Sequence, residues 1–233
     1  MIVAFDVDDT LYRELDYVES GFRAVADAVA AKHAISSEDA YGLLLDSMDR
    51  HGRGRQFDDL LRAVDAFSVR RRDALVQVYR RHEPSISLPE GSRHVLDALA
   101  RAGHRLFVVT DGNHHVQDRK VEALGLRELV EHAYLTGRYG PTAPKPGTRV
   151  FELMLRRTGS EPDDLVYVGD NPHKDFVGVR RLGGATIRVR TGAHRTTVAA
   201  EGHDADVTID SVEEVPAVVD QLTARRTAPW SPR

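Results

Sequence analysis

The chain has 233 residues, enough for a domain with a sizeable insertion and a buried core. Its 32 Lys and Arg against 36 Asp and Glu leave a net charge of -4, which gives no electrostatic reason to expect a nucleic-acid polymer or an anionic membrane as partner and suits a small soluble ligand better. The absence of cysteine excludes disulfides, thiolate metal sites and a cysteine nucleophile. With an acid already at Asp6 and no apolar run near the roughly 18 residues of a membrane span, neither a signal peptide nor a span is expected, and a cytoplasmic location follows.

Ile2 to Phe5 is a continuous apolar run, the pattern of a strand covered on both faces, and three acids, Asp6, Asp8 and Asp9, crowd its C-terminal end. From Arg13 to about Leu88 the periodicity is helical, as in Val18, Phe22, Val25, Ala26 and Val29, then Leu60, Leu61, Val64 and Phe67. Ser36 and Ser37 before Glu38 and Asp39 predict a helix N-cap, and Gly52-Arg53-Gly54-Arg55 predicts an exposed turn.

After Pro89 helices and strands alternate. A helix through Val95 and Leu99 leads to a strand from Leu106 to Val109, which ends in Thr110-Asp111-Gly112. A helix stopped by Gly125 follows, then one from Val150 to Arg157, and a strand from Leu165 to Val168 that runs into Gly169-Asp170-Asn171. Weaker strands are predicted near Thr186 to Val189 and Val207 to Ile209. The expected fold is therefore α/β: a Rossmann-like parallel sheet with helices on both faces, formed by residues 1–12 and 89–226, with an all-helical insertion over 13–88 and a tail at 227–233.

Three buried strands end in Asp6 and Asp8, in Thr110 and in Asp170, and the C-terminal edge of an open parallel sheet is where such folds bind ligands. If Asp6, Asp8, Asp170 and Asp175 share a pocket, their repulsion calls for a cation, and all-oxygen ligands favour a hard ion such as Mg2+. Residues two apart at an extended strand end point the same way, so Asp6 can attack while Asp8 manages protons. Lys145 supplies a fixed positive charge, and Thr110 with the Gly112 backbone supplies donors suited to a phosphoryl group.

FDVDDT, VVTDG, the lysine of KPG and GDNPHKD, in this order, resemble the four motifs of the haloacid dehalogenase superfamily, and DDTLY, TDGNHHVQDRKVEALGL and KPGTRVF resemble its nucleotidase and acylneuraminate phosphatase branch. The resemblance implies a Rossmann-like core with a helical cap inserted between the first two motifs. By position it makes Asp6 the nucleophile that forms an aspartyl-phosphate and Asp8 the general acid and base. It places a Mg2+ ion on the Asp6 and Asp170 carboxylates and the Asp8 carbonyl, with Asp175 as a ligand or an orienting group, and the phosphoryl oxygens on Thr110 and Lys145. An acid at Asp8 favours phosphoryl transfer over dehalogenation, which needs no proton. Asp111 departs from the pattern, since relatives often carry Asn there; its charge is compatible with phosphate only if the side chain turns away.

The expectation is a Mg2+-dependent phosphatase acting on a small phosphorylated metabolite, either a nucleotide monophosphate or a sugar phosphate. The alternatives are a phosphosugar mutase of the same superfamily, a phospho-accepting signalling receiver, and an idle binding protein. His114, His115 and His173 lie beside the motifs, but eleven histidines make that ordinary and adjacent ones cannot easily face one ion. Arg53, Arg55 and Gln56 read as an exposed turn, with contact to the substrate's leaving group as the alternative, Arg70 to Arg72 as a solvated helix face, and Gln117 with Lys120, which echo the branch's pattern, as braces of the fold.

Overall fold

In a computed structural model, which describes residues 1–227, the chain begins with β1 (Ile2–Phe5), whose four side chains are all buried. It divides into two compact units: Met1–Glu14 together with the chain from Ser87 onward, and Leu15–Ile86. The second unit lies two residues inside the expected 13–88 at each end, and at its start the Glu14 amide bonds to Asp9 Oδ1 at 2.9 Å, which ties Glu14 to the stretch after β1.

Four helices make up the second unit: α1 (Glu14–Ala30), α2 (Ser37–His51), α3 (Gln56–Ala63) and α4 (Val69–Arg81). Ser36 is the α2 N-cap, accepting the Asp39 amide at 3.0 Å, and Ser68 does the same for Arg71 at the start of α4. Their apolar faces close on a core of Val18, Phe22, Val25, Leu44, Leu60 and Leu61, none more than 5% exposed. A fully buried side chain of this size stabilises by about 1.5–3 kcal/mol, so packing rather than helix propensity holds these short helices.

The first unit continues with α5 (Glu90–Arg101), β2 (Arg105–Thr110), α6 (His114–Ala123), β3 (His132–Leu135), α7 (Arg149–Thr158), β4 (Leu165–Gly169), α8 (Val177–Leu182), β5 (Ala185–Val189), β6 (Val207–Ile209) and α9 (Val215–Thr227). Thr227 thus closes a helix, and the remainder of the expected tail, 228–233, lies outside the described residues. All strand pairs are parallel, in the order β3-β2-β1-β4-β5-β6. This is the doubly wound order, whose reversal point falls between β1 and β4. Ile2 and Ala4 face a cluster with Phe107, Val109 and Tyr167, covered by Val150, Phe151 and Met154 of α7, which accounts for the unbroken apolar runs of the central strands. Among the described residues no helix is long and apolar enough to cross a membrane.

β3 is the strand that sequence patterning missed. It is a four-residue edge strand, His-Ala-Tyr-Leu, with two half-exposed positions, and so carries neither a continuous apolar run nor a long alternation.

Candidate active site

The Asp6 amide bonds to the Val168 carbonyl at 2.8 Å, extending the β1–β4 ladder one residue and fixing the carboxylate at the reversal point of the sheet. Asp170 follows β4 directly, and Asp175 is drawn back to the same edge by the Asn171 amide, which donates to its Oδ2 at 2.9 Å. One carboxylate oxygen from each of Asp6, Asp170 and Asp175 lies within 4.8 Å of the others, and all three residues are at most 3% exposed.

Such crowding shows in the acidity of Asp6 and Asp170. Burial pushes Asp6 up to about 6, against the attraction of Lys145 and with the help of Asp175. Asp170 is pushed up to about 8 by burial and by the negative charges of Asp175 and Asp6. Three buried, mutually repelling oxygen donors fit a hard divalent cation such as Mg2+, which favours oxygen ligands and tolerates several waters.

Lys145 lies beneath this cluster with no exposed side-chain surface. Its Nζ sits 2.8 Å from Asp175 Oδ1 and 3.0 Å from Asp6 Oδ1, and it donates to Tyr167 Oη at 2.7 Å. Burial alone would lower its pKa, but Asp175 and Asp6 outweigh that and lift it well above the usual lysine range, so the ammonium stays charged.

Asp8 points elsewhere. Its Oδ1 accepts from Lys120 Nζ and from Tyr12 Oη, both at 2.7 Å, and its Oδ2 accepts from Gln117 Nε2 at 2.8 Å. Burial opposes ionisation, yet Lys120 and the hydrogen bonds from Gln117 and Tyr12 hold the carboxyl below its usual value. Gln117 Nε2 also lies 2.7 Å from Thr110 Oγ1 and from the Asp111 carbonyl, coupling the ends of β1 and β2. Lys120 and Gln117 sit three residues apart on α6, both at most 4% exposed. In sequence the two residues read as an echo of the branch's pattern and as braces of the fold; that what they brace is the Asp8 carboxylate is seen only in the structure.

Thr110 ends β2, and the turn through Gly112 (φ 120°, open to glycine but strained for other residues) carries the chain into α6, capped by Asn113. Asp111 turns aside from Thr110: its Oδ1 accepts from Thr136 Oγ1 at 2.8 Å and from the Lys145 amide at 3.2 Å, and its Oδ2 faces Lys174 Nζ at 3.4 Å. Of the histidines beside the motifs, His114 and His115 stack on each other with ring centres 4.0 Å apart, and His173 packs edge-on against His194. None belongs to the carboxylate cluster. Arg53, Arg55 and Gln56 lie in the other unit, where Gln56 bonds back to the Gly52 and Gly54 backbone and steadies the turn.

A parallel sheet whose reversal point carries a buried carboxylate cluster over a buried lysine defines a hydrolase class: the chain belongs to the haloacid dehalogenase-like hydrolase family, whose profile matches residues 1–183. Among its relatives are glyceraldehyde 3-phosphate phosphatases of Methanocaldococcus jannaschii, 29% identical over 94% of this chain and 97% of that one, and of Methanopyrus kandleri, 30% identical over 94% and 97%. Among solved structures, the putative HAD-hydrolase YfnB from Bacillus subtilis, described as bound to magnesium, superposes with a TM-score of 0.68 at 17% identity, covering 94% of this chain and 98% of that one.

The family and the strand order dispose of the signalling receiver, whose flavodoxin-like sheet runs 2-1-3-4-5 rather than 3-2-1-4-5-6.

Proposed function

We propose that the chain is a divalent-metal-dependent phosphatase that hydrolyses a small phosphomonoester through an aspartyl-phosphate on Asp6. The observation that carries this reading is the placement of the Asp6 carboxylate, buried at the reversal point, 3.0 Å from Lys145 and beside Asp170 and Asp175. The relatives named as glyceraldehyde 3-phosphate phosphatases favour a sugar phosphate over a nucleotide monophosphate. Residues 15–86, a compact helical unit of their own, are assigned as the inserted cap.

In the proposed mechanism an Asp6 carboxylate oxygen attacks phosphorus while Asp8 delivers a proton to the departing alkoxide. Asp8 then takes a proton from the water that cleaves the aspartyl-phosphate, which returns it to the protonated form that the first step requires; between the two steps Lys120 and the hydrogen bonds from Gln117 and Tyr12 favour its carboxylate. Thr110 and the Gly112 amide receive phosphoryl oxygens, and the Lys145 charge stabilises both Asp6 and the transferring group. Asp6 and Asp170, with Asp175 as a further ligand or an orienting group, would hold a Mg2+ ion, which would neutralise phosphoryl charge when bound.

The test is phosphate release from a panel of triose, pentose and hexose phosphates and nucleotide monophosphates, with Mg2+ or EDTA, for wild type beside Asp6→Asn. Release only by wild type and only with metal is expected. Isomerised phosphosugars without free phosphate would replace hydrolysis by a mutase reaction, and equal release by Asp6→Asn would remove Asp6 as nucleophile.

A further inference from the structure

The phosphoryl site gathers five carboxylates, Asp6, Asp8, Asp111, Asp170 and Asp175, against three lysines, Lys120, Lys145 and Lys174. With all of them ionised, even a bound divalent cation brings the set only to neutrality, a poor receiver for a phosphate dianion. A cation able to move towards the incoming anion would change that balance.

Two of the lysines are already committed. Lys145, with no exposed side-chain surface, lies 2.8 and 3.0 Å from two carboxylates, and Lys120, 4% exposed, lies 2.7 Å from a third. Lys174 differs on both counts. Its side chain is 31% exposed, and its Nζ stands 3.4 Å from Asp111 Oδ2, beyond the roughly 2.7–2.9 Å of a tight charge-assisted bond. Its charge is nevertheless felt at Asp6, whose acidity it increases. It directly precedes Asp175, while Asp111 directly follows Thr110, so the pair bridges the ends of two motifs at the same edge.

We propose that Lys174 is a further substrate-binding residue, parked on Asp111 when the site is empty and moving its ammonium onto the phosphoryl oxygens of an arriving phosphomonoester or phosphate ion. This rests on the phosphatase reading above. It also explains how Asp111 is compatible with an anion site: one carboxylate oxygen is used by Thr136 and the Lys145 amide, and the other holds a lysine that the substrate takes over.

Titration calorimetry with inorganic phosphate in saturating Mg2+, beside steady-state kinetics on the best ester, tests the inference. Lys174→Met should weaken phosphate binding about tenfold or more and raise KM more than it lowers kcat, as expected for a charge that grips substrate before chemistry. Lys174→Arg should retain most of the binding, since the charge remains. Asp111→Asn keeps an acceptor for Thr136 and the Lys145 amide while removing the charge, so Asp111→Asn/Lys174→Met should bind phosphate more tightly than Lys174→Met alone, a recovery that damage to the fold cannot produce.

Phosphate affinity of Lys174→Met within about twofold of wild type would overturn the inference, as would a double variant no better than the single one. Weakened phosphate binding by Lys174→Met in a protein that hydrolyses no ester would uphold the lysine's role and sink the phosphatase reading. A wild type that binds no phosphate would overturn both.

Discussion

Lys120 reaches across from α6 to place its Nζ 2.7 Å from Asp8 Oδ1, joining a helix of the second motif to the carboxylate that follows β1. With Gln117 and Tyr12 it leaves Asp8 little freedom to rotate, so the carboxylate proposed to handle protons is oriented by three donors.

Lys120→Met would let the Asp8 pKa rise, which favours its acid form, but it frees the carboxyl to rotate, and that loss of orientation should dominate and impair the step that needs a proton. We expect kcat on an alkyl phosphate such as glycerol phosphate to fall about 10- to 100-fold, within the range general acid catalysis supplies. Hydrolysis of 4-nitrophenyl phosphate, whose leaving group departs unprotonated, should fall much less. Equal losses on both substrates would mean that Lys120 supports the fold rather than Asp8.

Asp170→Asn removes a donor from the carboxylate cluster while relieving its repulsion. Metal affinity, read by calorimetry with Mg2+ or Mn2+, should drop about 10-fold or more while apo-protein stability holds or rises. Unchanged affinity would move the metal away from this cluster.

Lys145→Met breaks a fully buried network, leaving Asp6 and Asp175 to repel each other without their cation. Removing one partner of such a network costs about 3–5 kcal/mol, readable as a lowered urea midpoint. Metal should recover part of the loss, because the same carboxylates are the proposed ligands.

How much of this was visible beforehand follows from the kind of signal each residue leaves. Asp6, Thr110 and Asp170 each end a buried apolar run, so their convergence on one edge follows from parallel pairing alone. Lys145 and Asp175 stood out through their motifs rather than through periodicity. The clamp on Asp8 was legible only as an echo of the branch's pattern at Gln117 and Lys120, because two residues three apart on a helix do not reveal which strand end they meet. The direction taken by Asp111 was equally hidden, since it depends on Thr136 and Lys174, 25 and 63 residues away in sequence.

Packing in the helical unit gives a prediction independent of chemistry. At Gly21 of α1 an added methyl group would run into the Tyr79 ring of α4, so glycine is what lets the two helices approach. Gly21→Ala should destabilise by about 1–3 kcal/mol despite alanine's better helix propensity. A higher denaturation midpoint for the variant would show that Tyr79 yields without cost.

Among the histidines that make stability depend on pH are His104 and His132. Burial lowers His104 below its ordinary 6.5, and burial with the nearby charges of Arg157, Arg127 and Arg138 lowers His132. Both bind protons more readily unfolded than folded, so their contribution is fully present above about pH 6.5 and is lost as pH falls through their folded values. His104→Asn/His132→Asn should therefore lose less stability than wild type between pH 7.5 and pH 5.5, in urea melts with metal absent. Parallel losses would place the acid sensitivity elsewhere.

The central claim is that Asp6 becomes phosphorylated. Wild type mixed with excess substrate and Mg2+, quenched in acid at times shorter than one turnover, then digested and analysed by mass spectrometry, addresses it directly. The account predicts a phosphoryl adduct on the peptide containing Asp6 that forms with release of the leaving group, and no adduct in Asp6→Asn. An adduct on any other residue, or release of leaving group and phosphate in step with no adduct at any time, would contradict it.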